Sequence, residues 1–214
     1  MSNQALVAHL EHCVERARVA PLSIGSVFDE LGRDGIAMLL VILNLPFLQP
    51  LTLGPVASAG GLVIAGIGWQ MARGNQTLWL PQKMRDSALN ASAWEKLLGA
   101  CRWLVVKFAR FTRTRHTQWT DGERGHRIAG WFAVVGGLLL AFPMFGMPFG
   151  NMLPALVVVC ACIAVLERDG LMYLFATFWA LLMLAYMGLV AYLLIFFGAE
   201  FKAWIAAYVP SWLG

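Results

Sequence analysis

Charged positions vanish from three long stretches of this chain: Gly35 to Ala72, Ile128 to Leu166, and Gly170 to Ala199. A membrane crossing takes about 20 apolar residues, so each of the first two stretches is too long for one helix. Prolines break both of them. Pro46, Pro50 and Pro55 interrupt the first, and Pro143, Pro148 and Pro154 the second. Proline lacks the backbone donor and clashes with the preceding turn, so no helix runs through three of them. Each stretch therefore predicts a helix, a Pro-rich turn and a second helix. The third stretch predicts one long helix or two short ones, with Gly188 the weakening residue at its centre.

The predicted pieces are short. Gly35 to Leu45 would measure roughly 16 Å and Ala155 to Leu166 roughly 18 Å, at about 1.5 Å per residue. Neither spans a hydrocarbon core of about 30 Å. One reading is a re-entrant or half-spanning hairpin whose tip lies inside the membrane, where irregular backbone must be buried or line a polar cavity. The other is an ordinary hairpin turning at the interface. Aligning the prolines makes the two stretches an internal repeat, each closing on an arginine and a glycine (Arg73-Gly74, then Arg168-Asp169-Gly170). Paired, interrupted apolar segments of this kind surround transporter binding sites.

Between the hairpins the pattern changes. Residues 74–127 carry ten basic and four acidic side chains, a net +6 on a chain whose total is +4. Positive charge beside membrane segments marks the cytoplasmic side. Within this linker Trp94, Leu97, Leu98, Cys101, Leu104, Val105, Phe108 and Phe111 share one helical face, with Lys96, Arg102, Lys107, Arg110 and Arg113 opposite. That describes a helix lying in the headgroups of an anionic inner leaflet, or one capping the bundle from the cytoplasm. Ahead of the first hairpin, Leu6, Leu10 and Val14 predict a short amphipathic helix. Ser23 predicts the start of a second, ending at Leu31-Gly32. Glu11, Glu15, Arg16 and Arg18 break any signal-peptide core.

Composition agrees with this pattern. The chain is 59% hydrophobic and 13% charged over 214 residues, where a soluble domain is about a quarter charged. This argues against a soluble enzyme, a disordered chain or a nucleic-acid binder. The expectation is a single all-α membrane domain over 1–214. It comprises N-terminal cytoplasmic helices (1–34), a first hairpin (35–72), a basic cytoplasmic linker (73–127), a second hairpin (128–166) and a C-terminal membrane helix or helix pair (170–199).

Little in the sequence carries soluble-style catalysis. Cys13, Cys101, Cys160 and Cys162 form no Cys-x-x-Cys pair, and His9, His12, His116 and His126 form no His-Glu-x-x-His motif. No metal and no cofactor are expected. The polar groups of the uncharged stretches cluster at the breaks: Asn44, Gln49, Thr52 and Ser58 in the first hairpin, Asn151 in the second, with Gln70 near the end of the first. With the backbone groups that the prolines free, they form a polar site between the tips or simply satisfy that backbone. Asn151 is the sharpest candidate, with Gly150 allowing a tight turn, and Gln49 is its counterpart. Arg33, Asp34, Glu167, Arg168 and Asp169 stand at membrane boundaries, either solvated or paired across a cavity.

Several motifs are familiar in this order: Gly32-Arg33-Asp34-Gly35, Trp69-Gln70-Met71 followed by Leu78-Trp79-Leu80-Pro81, Met147-Pro148-Phe149-Gly150-Asn151-Met152-Leu153-Pro154-Ala155, and Leu166-Glu167-Arg168-Asp169-Gly170. Over roughly residues 22 to 195 the chain resembles the ExoD family of bacterial membrane proteins associated with exopolysaccharide synthesis. The resemblance implies an inner-membrane protein and supplies no reaction. It marks Gln70, Trp79, Pro81, Asn151, Pro154, Arg168 and Asp169 as motif members.

Three function classes follow. The first is a transporter-like protein or a lipid or ion carrier, with Asn44, Gln49, Gln70, Asn151, Arg168 and Asp169 as candidate binding residues. The second is a non-catalytic partner of polysaccharide assembly proteins. The third is an enzyme on lipid-linked sugars using Glu167 or Asp169 as base. Small-residue stripes at Ala57, Gly61, Ala65 and at Ala133, Gly137, Ala141 predict close helix packing, either within one chain or in a homodimer.

Overall fold

The computed structural model describes residues 22–49, 54–79, 117–142 and 149–196, together with Glu15, Ala88–Leu89, Gly99 and Gly198. Five helices dominate: α1 (Ile24–Asn44), α2 (Pro55–Ala72), α3 (Gly122–Ala141), α4 (Met152–Leu166) and α5 (Leu171–Phe196). A 3-10 turn over Leu45–Leu48 follows α1, and another over Thr117–Trp119 precedes α3. Leu22–Ser23 pairs antiparallel with Ala88–Leu89, a two-residue bridge between the N-terminal segment and the linker. The predicted amphipathic helix at Trp94–Phe111 and the helix at Leu6–Val14 lie outside the described residues, as do Pro50, Pro81, Pro143 and Pro148.

Local chemistry sets most of the boundaries. Helix α1 starts directly after Ser23 and is broken at Gly32, whose φ of 58° and ψ of −139° suit a residue without Cβ. The break separates the first short helix from the apolar one, as the Leu31-Gly32 stop predicts. Pro46 then turns the chain into the 3-10 segment, and Pro55 opens α2 in its first turn, where the missing donor costs nothing. The third uncharged stretch resolves into one helix. Gly188 lies within α5, where an added Cβ would meet nothing within 4 Å.

The two hairpins pack antiparallel, helix to helix. Gly61 of α2 faces Gly137 and Ala141 of α3; a Cβ built on Gly61 would sit 2.6 Å from the Gly137 carbonyl oxygen. Further along, Gly68 meets Ala133, and Gly130 meets Ala72. The two small-residue stripes thus interlock within the chain, and α2 and α3 form the most extensive helix contact among the described residues. Helix α4 packs on α1, α3 and α5, and it is almost wholly buried from Leu153 to Val165. Contact of Gly136 with Pro154 and Val158 sets the start of α4 beside the end of α3. Both hairpins therefore turn at one end of the bundle, and residues 32–34, 72–79, 117–127 and 166–173 gather at the other.

The outside of this bundle is apolar. Helix α5 keeps Tyr173, Ala176 and Met183 buried but exposes Leu174, Phe178, Leu181, Leu184, Leu189 and Ile195, and α2 and α3 expose Leu62, Val63, Val135 and Leu138. Pro55–Ala72 and Leu171–Leu193 are each long and apolar enough to cross a membrane. Only 11% of the α5 span is buried inside the protein. Helix α5 packs on α4 but leaves most of its apolar surface uncovered by the described residues, which fits a lipid-facing role.

Candidate functional site

Polar side chains collect at both ends of the bundle, and the richer collection is at the hairpin bases. There Arg33 and Asp34 follow the Gly32 break, Gly122 and His126 open α3, and Arg168 lies in the turn after α4. Together with Thr120 and Gln76 they line an open cleft of about 360 Å³. His126 bridges two elements: its Nε2 lies 3.0 Å from Asp34 Oδ1 and its Nδ1 2.9 Å from the Gly122 carbonyl oxygen. Both neighbours accept, so a doubly protonated ring donates to both and a neutral ring to one. Burial alone would raise the Asp34 carboxyl; it nonetheless lies below the ordinary 3.8, with the hydrogen bond and charge of His126 the foremost influences that lower it.

A second layer of charge rings this pair. Arg127 Nη2 binds Glu123 Oε1 at 2.8 Å one turn along α3. Arg33 Nη2 lies 3.7 Å from Glu123 Oε2 and donates to the Gly74 carbonyl at 3.3 Å, while its buried Nε has no hydrogen-bond partner. Arg168 Nε reaches Asp121 Oδ1 at 3.8 Å.

Arg168 owes its position to a turn. Helices α2 and α4 end in the same Schellman geometry: Gly74 N–H binds Met71 O and Asn75 N–H binds Gln70 O, as Arg168 N–H binds Val165 O and Asp169 N–H binds Ala164 O. The left-handed seat falls on Gly74 in the first (φ 81°) and on Arg168 in the second (φ 54°). An arginine thus occupies a conformation suited to glycine, at a cost of about 1 kcal/mol. Next to it, fully buried Asp169 accepts Leu171 N–H at 3.0 Å and steers the chain into α5.

At the hairpin tips the groups are amides. Asn44 is fully buried; its Nδ2 donates to Leu40 O at 2.7 Å and its Oδ1 has no hydrogen-bond partner. Asn151, also buried, precedes α4 and its carbonyl accepts the Ala155 N–H. The turn before it takes its positive φ at Phe149 (64°), not at Gly150. Gln49 is exposed and extended at the end of the 3-10 turn.

A family model described as "Exopolysaccharide synthesis, ExoD" matches residues 6–189. The chain belongs to the ExoD family. It is 30% identical to "Protein ExoD" of Rhizobium meliloti (strain 1021) over 174 residues, which cover 80% of this chain and 71% of that protein. No solved structure matches it.

The ExoD motifs divide by role once placed. Gln70 and Trp79 form a clamp: Trp79 N–H donates to Gln70 Oε1 at 2.7 Å and Gln70 Nε2 donates to Trp79 O at 3.3 Å, folding the post-helix loop back on α2. Gln70 is therefore distant in kind from the tip amides. Arg168 lines the cleft, whereas Asp169 shapes the turn behind it. Pro46 is exposed, Pro55 is at the start of α2, and Pro154 is buried in the first turn of α4. Sequence reasoning passed over His126, Thr120 and Gln76. The i,i+4 spacing of Glu123 and Arg127 was legible, but nothing along the chain links His126 to Asp34. Among the described residues no group of three His, Cys, Asp or Glu is placed to hold a metal ion.

Proposed function

We propose that this ExoD-family chain is a multi-pass protein of the bacterial inner membrane that serves exopolysaccharide synthesis as a transporter-like carrier. Its hairpins would enter from the cytoplasm, where the +6 linker belongs by the positive-inside rule. Their tips would turn at or within the membrane, since α4 has 15 residues and measures only about 22 Å. The observation that carries the reading is the buried Asn44 at the first helix break, its Oδ1 unpartnered, at the bundle end where Asn151 opens α4. A sheltered acceptor of this kind is costly unless a ligand or water completes it.

The test is complementation of an exopolysaccharide-deficient strain by the Gln49→Ala/Asn151→Ala variant and by Asn44→Leu. A carrier site predicts lost polymer at parental expression and melting temperature. Full complementation by both removes the tip site. Reconstitution in liposomes then separates the readings: flux supports a carrier, whereas co-purification with polysaccharide assembly proteins without flux supports a non-catalytic partner.

A further inference from the structure

We propose that the cleft at the hairpin bases binds a phosphate group, as a monoester, diester or free ion, at the membrane surface. This inference is separate from the carrier reading, which places its ligand at the opposite end of the bundle.

The charges decide it. Two acids near the cleft are held at hydrogen-bonding distance by cationic or protonatable partners, Asp34 by His126 at 3.0 Å and Glu123 by Arg127 at 2.8 Å. Two guanidinium groups are not so engaged. Arg33 and Arg168 approach their acids only at 3.7 and 3.8 Å, well beyond the 2.7–2.9 Å of a charge-assisted hydrogen bond. The buried Nε of Arg33 has no acceptor at all. Arg33 lies in α1 and Arg168 in the turn after α4, and both line the same space. Planar donors from two sides, with one sheltered N–H unanswered, suit a ligand with several anionic oxygens. The left-handed backbone at Arg168 adds a second observation. A glycine fills the corresponding seat in α2 without strain, and strain kept at a cleft is a mark of function.

Depth points to the same chemistry. Trp69 and Trp131 stand exposed and edge to face at 5.4 Å, with the Arg73 guanidinium 4.8 Å from the Trp69 ring. Tryptophan with arginine on an apolar belt marks the headgroup level. The cleft lies at the same end of the bundle, with Gln76 beyond the C-terminus of α2 and with Gly122 and His126 at the N-terminus of α3. At about 360 Å³ it admits a headgroup.

The experiment titrates the full chain in neutral detergent with inorganic phosphate and, separately, with dihexanoyl phosphatidic acid, following binding by calorimetry. Saturable binding of both probes supports recognition of the phosphate whatever carries it. Binding of the lipid alone assigns a headgroup, and binding of phosphate alone a soluble ligand. Arg168→Gly removes one guanidinium and relaxes the backbone, so its melting temperature should hold or rise while affinity falls at least tenfold. Arg33→Gln should weaken binding similarly, and Arg124→Gln, on the exposed side of α3, should leave it unchanged. The proposal is overturned if neither probe saturates, if Arg168→Gly binds like the parent, or if Arg124→Gln weakens binding as much as Arg168→Gly.

Discussion

Asp34 and His126 lie 92 positions apart in sequence and 3.0 Å apart in space, tying the start of the first hairpin to the start of the second. The contact is largely shielded from water: the side chains are 19% and 11% exposed. It joins α1 to α3 at the end opposite both Pro-rich turns, so it fixes how the hairpin bases meet.

This pair predicts an acid dependence. The Asp34 carboxyl lies below its ordinary 3.8 in the folded protein. Its stabilisation is therefore complete above about pH 3.8 and is lost as pH falls through the folded value. Asp34→Asn should cost about 1–3 kcal/mol at pH 7. That difference should shrink below pH 3.8, as measured by thermal melts of parent and variant in the same detergent. A difference that stays unchanged as the pH is lowered until the protein acid-unfolds would show that the pair is not its source.

The glycine seam predicts a sharp contrast among glycines. A side chain at Gly61 or Gly137 would strike the backbone of the facing helix, whereas Gly66 and Gly188 have open space around them. Gly61→Leu and Gly137→Leu should lower the folded yield severely, with losses of about 3 kcal/mol or more. Gly66→Ala and Gly188→Ala should be neutral or stabilise by up to about 1 kcal/mol. Loss of only an oligomer by the leucine variants, at unchanged stability, would move the seam to an intermolecular face.

The Gln70–Trp79 clamp predicts a local effect. Gln70→Ala removes both side-chain hydrogen bonds to the Trp79 backbone, for a loss of about 1 kcal/mol or less at this exposed site. The sensitive readout is limited proteolysis between residues 74 and 79, which should accelerate severalfold. Gln70→Glu keeps the acceptor for Trp79 N–H but sets a carboxylate against Trp79 O, and should be worse than a simple halving of the clamp.

Topology is testable from the same geometry. Gln76 and Gln118 are exposed at the hairpin-base end and Gln49 at the tip end. With the basic linker in the cytoplasm, Gln76→Cys and Gln118→Cys should resist an impermeant thiol reagent added from the periplasm and react after permeabilisation. Labelling of either from the periplasm would invert the orientation.

The sequence by itself determined the helices. Charge-free stretches and prolines located α1 to α5 because desolvation of charge and the missing proline donor act locally, wherever the chain goes next. It determined the Gly32 break and the small-residue stripes for the same reason. Those stripes left open whether their partner was another copy, since spacing along one helix says nothing about which helix comes to it. Tertiary structure decided that, by bringing α3 against α2. It also decided that Gly74 and Arg168, rather than Arg73 and Arg168, occupy equivalent turns, a matter of hydrogen-bond register that residue type obscures. Above all it decided the cleft. Arg33, Asp34, His126 and Arg168 are four ordinary boundary residues until two hairpins return to one end and gather them around one cleft. Their chemistry depends on distance and burial, which no local pattern encodes.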